Sequence, residues 1–154
     1  DEMDESIINY LKKKYNLLVG YQTAEQIKMT IGNAYPLPEE KTMLVKGRDL
    51  VDGLPKTLSI SSVEIRESLV EPVNNIMQGL RKALEMTPPE LASDIVDRGI
   101  VMTGGGSLLL GFDQKIREDT NLPVYVVENP LLCVVKGCEQ ISNDFMNYKD
   151  LVFK

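Results

Sequence analysis

The chain has 154 residues, a length that suits one domain with a substantial core or two small lobes. Its formal net charge of −6 and the lack of a basic stripe with interleaved aromatic residues argue against nucleic-acid binding. The sequence contains no histidine and only two cysteines, Cys133 and Cys138, which excludes metal sites of the Cys/His kind and any catalysis that needs a histidine base.

Two helices are predicted at the start of the chain. Apolar residues at helical spacing predict the first over about residues 4–18, and Gly20 is expected to end it. The second is predicted over residues 23–32, with Thr23 as its N-cap and a glutamine three residues later, as in a capping box. Both helices therefore have an apolar face that must be covered.

Glu25 and Lys28 lie three residues apart on the second predicted helix and have two interpretations. Such a pair is commonly a surface ion pair worth only a few tenths of a kcal/mol. The alternative is that both side chains contact the sugar or the base edge of a bound ligand. The pattern of the helix by itself does not decide between the two.

Two alternating segments follow, at residues 42–46 and 56–60, and they are separated by a turn rich in glycine and proline. This pattern predicts a two-stranded antiparallel ribbon. Since two strands are only marginally stable by themselves, the ribbon is expected to pack on the preceding helices. Residues 1–60 are therefore predicted to form a small α+β lobe.

The second part of the chain, residues 61–154, begins with the longest helical pattern of the sequence. Residues 61–64 form a capping box, and an apolar stripe continues to about Met86. Pro72 lies inside this pattern and predicts a kink or a break between two helices. Thr87 is expected to be the N-cap of a further short helix that leads into a strand.

A run of apolar β-formers then leads into Gly104, Gly105, Gly106 and Ser107, and a leucine-rich helical pattern follows over about residues 107–120. This arrangement predicts a strand, a tight loop and a helix N-terminus. Three consecutive glycines let the backbone lie against a bulky ligand, and a helix N-terminus favours negative charge. A nucleotide is the ligand that fits both features, although the loop matches neither a Walker loop nor GxGxxG and is otherwise only a tight connection.

The last regular segments are a strand and a helix. Residues 124–127 form an apolar run typical of a strand buried on both faces, and a final helix is predicted over residues 131–141. With the strand before the glycines this gives a βαβ unit, so the fold class is α/β with a parallel strand pair. Cys133 and Cys138 lie in the final helical pattern and are expected to be buried and reduced. The pattern is weak from Ser142 onward.

Seven runs of the sequence carry a specific resemblance, in unbroken order over most of the chain. They are residues 23–28, 31–36, 47–50, 53–55, 87–95, 97–109 and 129–131. In these runs the chain resembles the MreB family of bacterial actins. The resemblance implies a partial second domain of the actin-like ATPase (ribonuclease H-like) fold, with residues 1–60 as its small inserted subdomain. Residues 61–154 would then be part of the larger subdomain together with a C-terminal tail.

The same resemblance implies that the chain contributes to an ATP or ADP site. Four residues would lie against the adenosine, namely Gly104, Gly105, Gly106 and Ser107. Four would reach the ribose and adenine from the inserted subdomain, namely Glu25, Gln26, Ile27 and Lys28. The family's phosphate-binding hairpins, Mg²⁺ ligand and water-positioning residue have no match here. No catalytic or metal residue is therefore assigned, and we expect no ATPase activity from these residues alone.

The resemblance further implies a filament subunit whose partners are other copies of itself and the proteins of cell shape and cell-wall synthesis. It places such a protein in the cytoplasm, at the inner face of the cell membrane, with membrane association through a preceding segment. We expect no membrane span here, since no apolar run approaches about 20 residues. A start at Asp1 directly before a helix is expected of a piece of a longer protein.

Two alternative functions remain open. The first is a non-catalytic interaction domain that binds neighbouring subunits through the ribbon and the loop at residues 36–41, without binding nucleotide by itself. The second is a small-molecule kinase, which needs a catalytic carboxylate facing a sugar, and the sequence offers no candidate beyond scattered surface acids.

Overall fold

A computed structural model describes residues 2–152 of the chain, with side chains for residues 2–148. These residues form helices and short strands, with 3₁₀ turns at Gly105–Leu108 and Pro130–Leu132. In chain order the elements are α1 (Glu2–Tyr15), β1 (Leu17–Leu18), α2 (Tyr21–Ile31), β2 (Thr42–Asp49), β3 (Pro55–Ser61), α3 (Ser62–Ser68), α4 (Val70–Glu85), α5 (Pro89–Arg98), β4 (Ile100–Met102), α6 (Phe112–Thr120), β5 (Val124–Val126), α7 (Cys133–Asn143) and α8 (Phe145–Val152).

The first helix is shorter than the apolar spacing predicts. It ends at Tyr15, and Asn16 has φ +51°, a conformation that asparagine tolerates better than most residues. The chain therefore reverses, and Leu17 and Leu18 pair antiparallel with β2. Leu17 is fully buried in this strand. The apolar side chain that extends the helical pattern is therefore buried by the sheet and not by a longer helix. The predicted ribbon is confirmed as β2 and β3, and β1 makes it a three-stranded sheet in the order β1-β2-β3.

The start of α2 also differs from the prediction. The helix begins at Tyr21 with Gly20 as its N-cap, and no side chain caps it. The amide of Ala24 donates to the carbonyl oxygen of Gly20 at 3.0 Å, which starts the helix before Thr23. Thr23 is therefore inside the first turn and is not the cap. On its buried face α2 places Ala24 and Ile27 against α1 and the sheet.

The helices after the sheet are confirmed in outline. Ser61 and Glu64 form the predicted capping box at the start of α3. The long pattern divides at Leu69, between α3 and α4, and Pro72 lies in the first turn of α4, where a missing amide costs no helical hydrogen bond. Thr87 is not a cap, because its hydroxyl donates to the carbonyl oxygen of Ala83 at 2.9 Å and so closes α4.

The C-terminal part contains the predicted parallel pair, in which β4 aligns with β5. The strand β5 is less buried than its composition predicts: Val124 is buried, whereas Tyr125 is 57% and Val126 is 40% exposed. Within the described residues the sheet has two strands, and α6 packs against β5. The prediction that β5 is buried on both faces is therefore wrong for this chain.

The last helices correct two further expectations. Cys133 and Cys138 are free thiols, but Cys133 is only half-buried and Cys138 is exposed, so their predicted burial is wrong. The weak terminal pattern forms the helix α8, where the hydroxyl of Tyr148 accepts from the side-chain amide of Gln140 at 3.0 Å. The final two residues of the predicted tail, 153–154, lie outside the described residues.

The core is continuous across both parts of the chain. Helices α3 and α4 pack against α1, so residues on either side of the proposed boundary at residue 60 share one apolar cluster. The largest fully buried aliphatic side chains at its centre are Ile7, Leu11, Leu17, Ile27, Ile31, Val45, Ile60, Ile65 and Leu69. This packing holds α2 firmly and leaves its outer face available.

Candidate functional site

The glycine loop is anchored from one side by the turn that follows β5. Gly104 has φ +80° and ψ 171°, a conformation that residues with a side chain rarely adopt. Its amide donates to the carbonyl oxygen of Pro130 at 3.0 Å, and the hydroxyl of Thr103 donates to the same oxygen at 3.1 Å. Thr103 and Pro130 were not among the predicted site residues, since this contact joins positions 27 residues apart.

The opposite side of the loop is open. A Cβ atom built on Gly104 or Gly106 would have no atom within 4 Å, and one built on Gly105 would meet only the flexible end of Leu131, at 3.2 Å. The absence of side chains therefore leaves a bare stretch of backbone facing outward, a cradle that Cβ atoms would fill. The flat face of an aromatic ligand such as an adenine base fits such a surface.

Ser107 stabilises the loop from within. It is buried, its hydroxyl donates to the carbonyl oxygen of Gly104 at 2.7 Å, and its amide donates to the same oxygen at 3.2 Å. The predicted helix N-terminus is absent at this point, because the loop forms a 3₁₀ turn and α6 begins only at Phe112, after Gly111 with φ +69°. The argument from a helix dipole at Ser107 is therefore wrong, while the argument from exposed backbone remains.

The four predicted residues of α2 differ in exposure. Glu25 and Gln26 are exposed, whereas Ile27 is fully buried and its side chain belongs to the core. Lys28 is half-buried, and its Nζ lies 2.9 Å from Oδ1 of Asp4, a buried carboxylate in the first turn of α1. This ion pair joins two helices, a contact that the spacing within α2 does not indicate.

The segments that follow the two groups of predicted residues are connected to each other. Asn33, two residues after α2, forms a parallel bridge with Leu110, three residues after Ser107. The amide of Ala34 donates to the carbonyl oxygen of Leu110 at 2.8 Å. The structure therefore connects the C-terminal end of α2 directly to the segment that leaves the glycine loop.

Two concave surfaces of the described chain lie elsewhere. One of about 500 Å³ is bounded by Thr30 and by residues 39–42, and one of about 320 Å³ lies between α1 and the start of α4. The open backbone of the glycine loop lies outside both of these surfaces. Among the described residues no group of three or more acidic or cysteine side chains is placed to hold a metal, and none of the helices is long and apolar enough to cross a membrane.

The sequence matches known proteins over nearly its whole length. A profile of the MreB/Mbl protein family matches residues 1–150. The chain is 49% identical over 137 residues to the cell shape-determining protein MreB of Escherichia coli (strain K12), and 46% identical over 137 residues to the cell shape-determining protein Mbl of Bacillus subtilis (strain 168). Each match covers 89% of this chain but only 40% and 41% of the relative, so the chain spans about two-fifths of their length.

Solved structures give the same result. The chain matches MreB5 of Spiroplasma citri bound to AMPPNP with a TM-score of 0.91 and 35% identity, over 98% of this chain and 45% of that one. MamK, in a non-polymerising mutant bound to AMPPNP, matches with a TM-score of 0.69 at 18% identity over 85% of this chain and 40% of that one, which shows a shared fold. These similarities confirm the actin-like ATPase fold, present here as a partial domain. The chain belongs to the MreB/Mbl family.

Proposed function

We propose that this chain forms the adenosine side of the nucleotide site of a bacterial actin. The observation that carries the proposal is the open backbone cradle at residues 104–106, where no Cβ atom occupies the space in front of the loop. MreB5 of Spiroplasma citri, a relative at 35–36% identity, has been solved with AMPPNP and with ADP, which supports an adenine nucleotide as the ligand.

The described side chains suit the nucleoside part of such a ligand. The exposed carboxylate of Glu25 is an acceptor for ribose hydroxyl groups, and the backbone of the glycine loop offers a flat face to the base. Lys28 is held by Asp4 and adds a cation at the edge of the same helix. The nucleotide would supply the phosphate groups, and the described residues contain no acidic cluster that fits Mg²⁺, so we assign neither metal binding nor phosphoryl transfer to this chain.

For the whole protein we propose a filament subunit that acts in cell shape and cell-wall synthesis. The relatives named as cell shape-determining proteins support this assignment. Its proposed partners are other copies of itself and cell-wall synthesis proteins. Its proposed location is the cytoplasm, at the inner face of the cell membrane, reached through a segment other than the described residues. No role with nucleic acid is proposed, in keeping with the net charge of −6.

Calorimetric titration of the 154-residue chain with ADP, and separately with adenosine, tests the nucleotide proposal. Because the proposed contacts involve only the nucleoside, both ligands are expected to bind with similar and weak affinity. Gly106→Ala is the matched control and is expected to bind both ligands less well, because its methyl group enters the open space in front of the loop. If neither adenosine nor ADP binds, the proposal that this chain forms an adenosine site by itself is wrong.

One observation favours the second candidate, an interaction domain. The hairpin of β2 and β3 exposes Leu44, Val51 and Leu54 at 70%, 80% and 62%. Exposed apolar side chains on a projecting hairpin are typical of a contact between proteins. If this candidate is correct, excess chain added to full-length Escherichia coli MreB under pelleting conditions reduces the pelleted fraction, and a Leu54→Asp variant does not. Unchanged pelleting at excess chain would contradict it.

A further inference from the structure

We propose that residues 33–35, called here the joint segment, set the spacing between α2 and the glycine loop, and that Asn33 is the positioning residue of this joint. The inference rests on the proposed adenosine site, because it concerns how the two sides of that site are held relative to each other. Asn33 is not expected to touch the ligand, and it acts through the backbone that it fixes.

The side chain of Asn33 is completely buried and fully hydrogen bonded. Its Nδ2 donates to the carbonyl oxygens of Ile31 at 3.0 Å and Ser62 at 2.9 Å, and its Oδ1 accepts from Nη1 of Arg66 at 2.8 Å. One amide therefore joins the last turn of α2 to the first turn of α3. Since each partner occupies a different part of the amide, only one orientation of Asn33 satisfies all of them.

The backbone of the joint segment holds the exit of the glycine loop. Asn33 and Leu110 form the parallel bridge, and the amide of Ala34 donates to Leu110. Next along the chain, Gly111 has φ +69°, and a Cβ at this position would be only 2.8 Å from the Cβ of Tyr35. The two segments therefore touch so closely that a displacement of one must displace the other.

Two outer contacts brace the joint. The hydroxyl of Tyr35 donates to Oε1 of Glu118 on α6 at 2.6 Å, and this hydrogen bond raises the pKa of Tyr35. On the other side Arg66, which donates to Asn33, also donates to Oε1 of Glu40 at 2.8 Å. The joint is thus tied both to α3 and to α6.

Only a few residues separate the joint segment from the proposed site residues, so a displacement of the joint can move them. Lys28 lies five residues before Asn33, and its carbonyl oxygen accepts from the amide of Gly32 at 3.0 Å. Ser107 lies three residues before Leu110. A site that holds a ligand between two elements needs their spacing within about 0.5 Å, so loosening the joint is expected to weaken binding without removing any ligand contact.

The first test compares Asn33→Ala with Ile7→Val, a core substitution on α1 that lies outside the joint. If the unfolding temperatures of Asn33→Ala and Ile7→Val differ, Ile7→Ala is used as the control in place of Ile7→Val. At matched stability, ADP is expected to bind Asn33→Ala about tenfold more weakly than the unsubstituted chain and to bind the control unchanged. Equal affinity for both variants would overturn the inference. If Asn33→Ala does not fold, Tyr35→Phe, which removes only the outer hydrogen bond, is expected to show a smaller loss of the same kind.

The second test measures the spacing without nucleotide. The two native cysteines are first removed by Cys133→Ser and Cys138→Ser. Spin labels are then attached at Gln22→Cys and Leu108→Cys, and the distance between the labels is measured by double electron–electron resonance. Asn33→Ala is expected to broaden or shift this distance, and Ile7→Val is not. An unchanged distance overturns the inference whether or not ADP binds, whereas failure of the unsubstituted chain to bind ADP would contradict only the proposed function.

Discussion

At the scale of single residues, two glycines near the site differ in whether the surrounding structure leaves room for a side chain. Gly99 precedes β4 with φ +77°, and a Cβ there would lie 2.4 Å from the carbonyl oxygen of Pro123. A Cβ atom at Gly106, by contrast, would have no other atom within 4 Å. The first glycine is therefore needed for the fold, whereas the space beside the second is available to a ligand.

Gly106→Ala tests the cradle directly. We expect its free energy of unfolding to stay within about 0.5 kcal/mol of that of the unsubstituted chain, because the new methyl group enters open space. We expect ADP affinity to fall, because the methyl group occupies the proposed position of the adenosine. A thermal melt measures the stability of the variant, and calorimetric titration measures its affinity for ADP. Unchanged affinity would remove Gly106 from the site.

Gly99→Ala is the structural counterpart. Because its φ is positive and the neighbouring backbone oxygen is rigid, the substitution is expected to cost roughly 3 kcal/mol or more of unfolding free energy. Urea unfolding followed by circular dichroism measures the loss. A stability equal to that of Gly106→Ala would show that the backbone at position 99 relaxes freely.

At the scale of elements, the start of α3 depends on one carboxylate. Glu64 accepts hydrogen bonds from the amide of Ser61 at 2.9 Å, from its hydroxyl at 2.8 Å and from the hydroxyl of Tyr15, and it lies 3.0 Å from Nζ of Lys14. Partial burial of the carboxylate opposes its charge, but these hydrogen bonds prevail and lower the pKa of Glu64 to about 2. The capping box of α3 therefore also holds the end of α1.

This lowered pKa predicts a dependence of stability on pH. Because Glu64 ionises more readily in the folded chain than at its ordinary pKa of 4.5, its contribution is complete above that value and is lost as the pH falls toward 2. Glu64→Gln is expected to cost about 1–2 kcal/mol at neutral pH and a smaller amount at about pH 3, where part of the contribution is already lost. Urea unfolding at both pH values measures the difference, with the exposed Glu139→Gln as control. An equal cost at both pH values would contradict the assignment.

At the scale of the whole molecule, the parallel pair leaves apolar surface uncovered. Val101 on β4 is 63% exposed, and Tyr125 on β5 and Leu131 beyond it are also exposed. The antiparallel sheet, by contrast, buries Val45 and Ile60 against the helices. Contiguous apolar surface beside unpaired strand edges favours association between chains.

We therefore expect the 154-residue chain to self-associate as its concentration rises, through the surface of β4 and β5. Val101→Lys is expected to reduce this association, because a charge on an exposed strand opposes edge pairing. Met86→Lys, at the exposed end of α4 and outside both the hairpin and the parallel pair, is the control and is expected to have no effect. Sedimentation velocity over a concentration series measures it, and a monomer at every concentration would show the prediction to be wrong.

Local patterns determined much of this protein. The capping box at Ser61, the division of the long helical pattern near Pro72 and the ribbon depend mainly on nearby residues, and these features were predicted correctly. The strand and the tight turn of the glycine loop were predicted as well, but the helix N-terminus expected at Ser107 is absent, because α6 begins only at Phe112. The ordered motifs also identified the family. Side-chain identity within a short window is sufficient for such features, because helix ends, turns and strand alternation are set mainly by local geometry.

Only the tertiary structure decided the features that depend on distant partners. Leu18 continues a helical pattern yet pairs with Arg48, and the caps expected at Thr23 and Thr87 are displaced by other hydrogen bonds. The pairing of Lys28 with Asp4 across two helices has no local signal. The connection of α2 to the glycine loop has none either, because a backbone bridge between segments 77 positions apart forms only when the chain has packed.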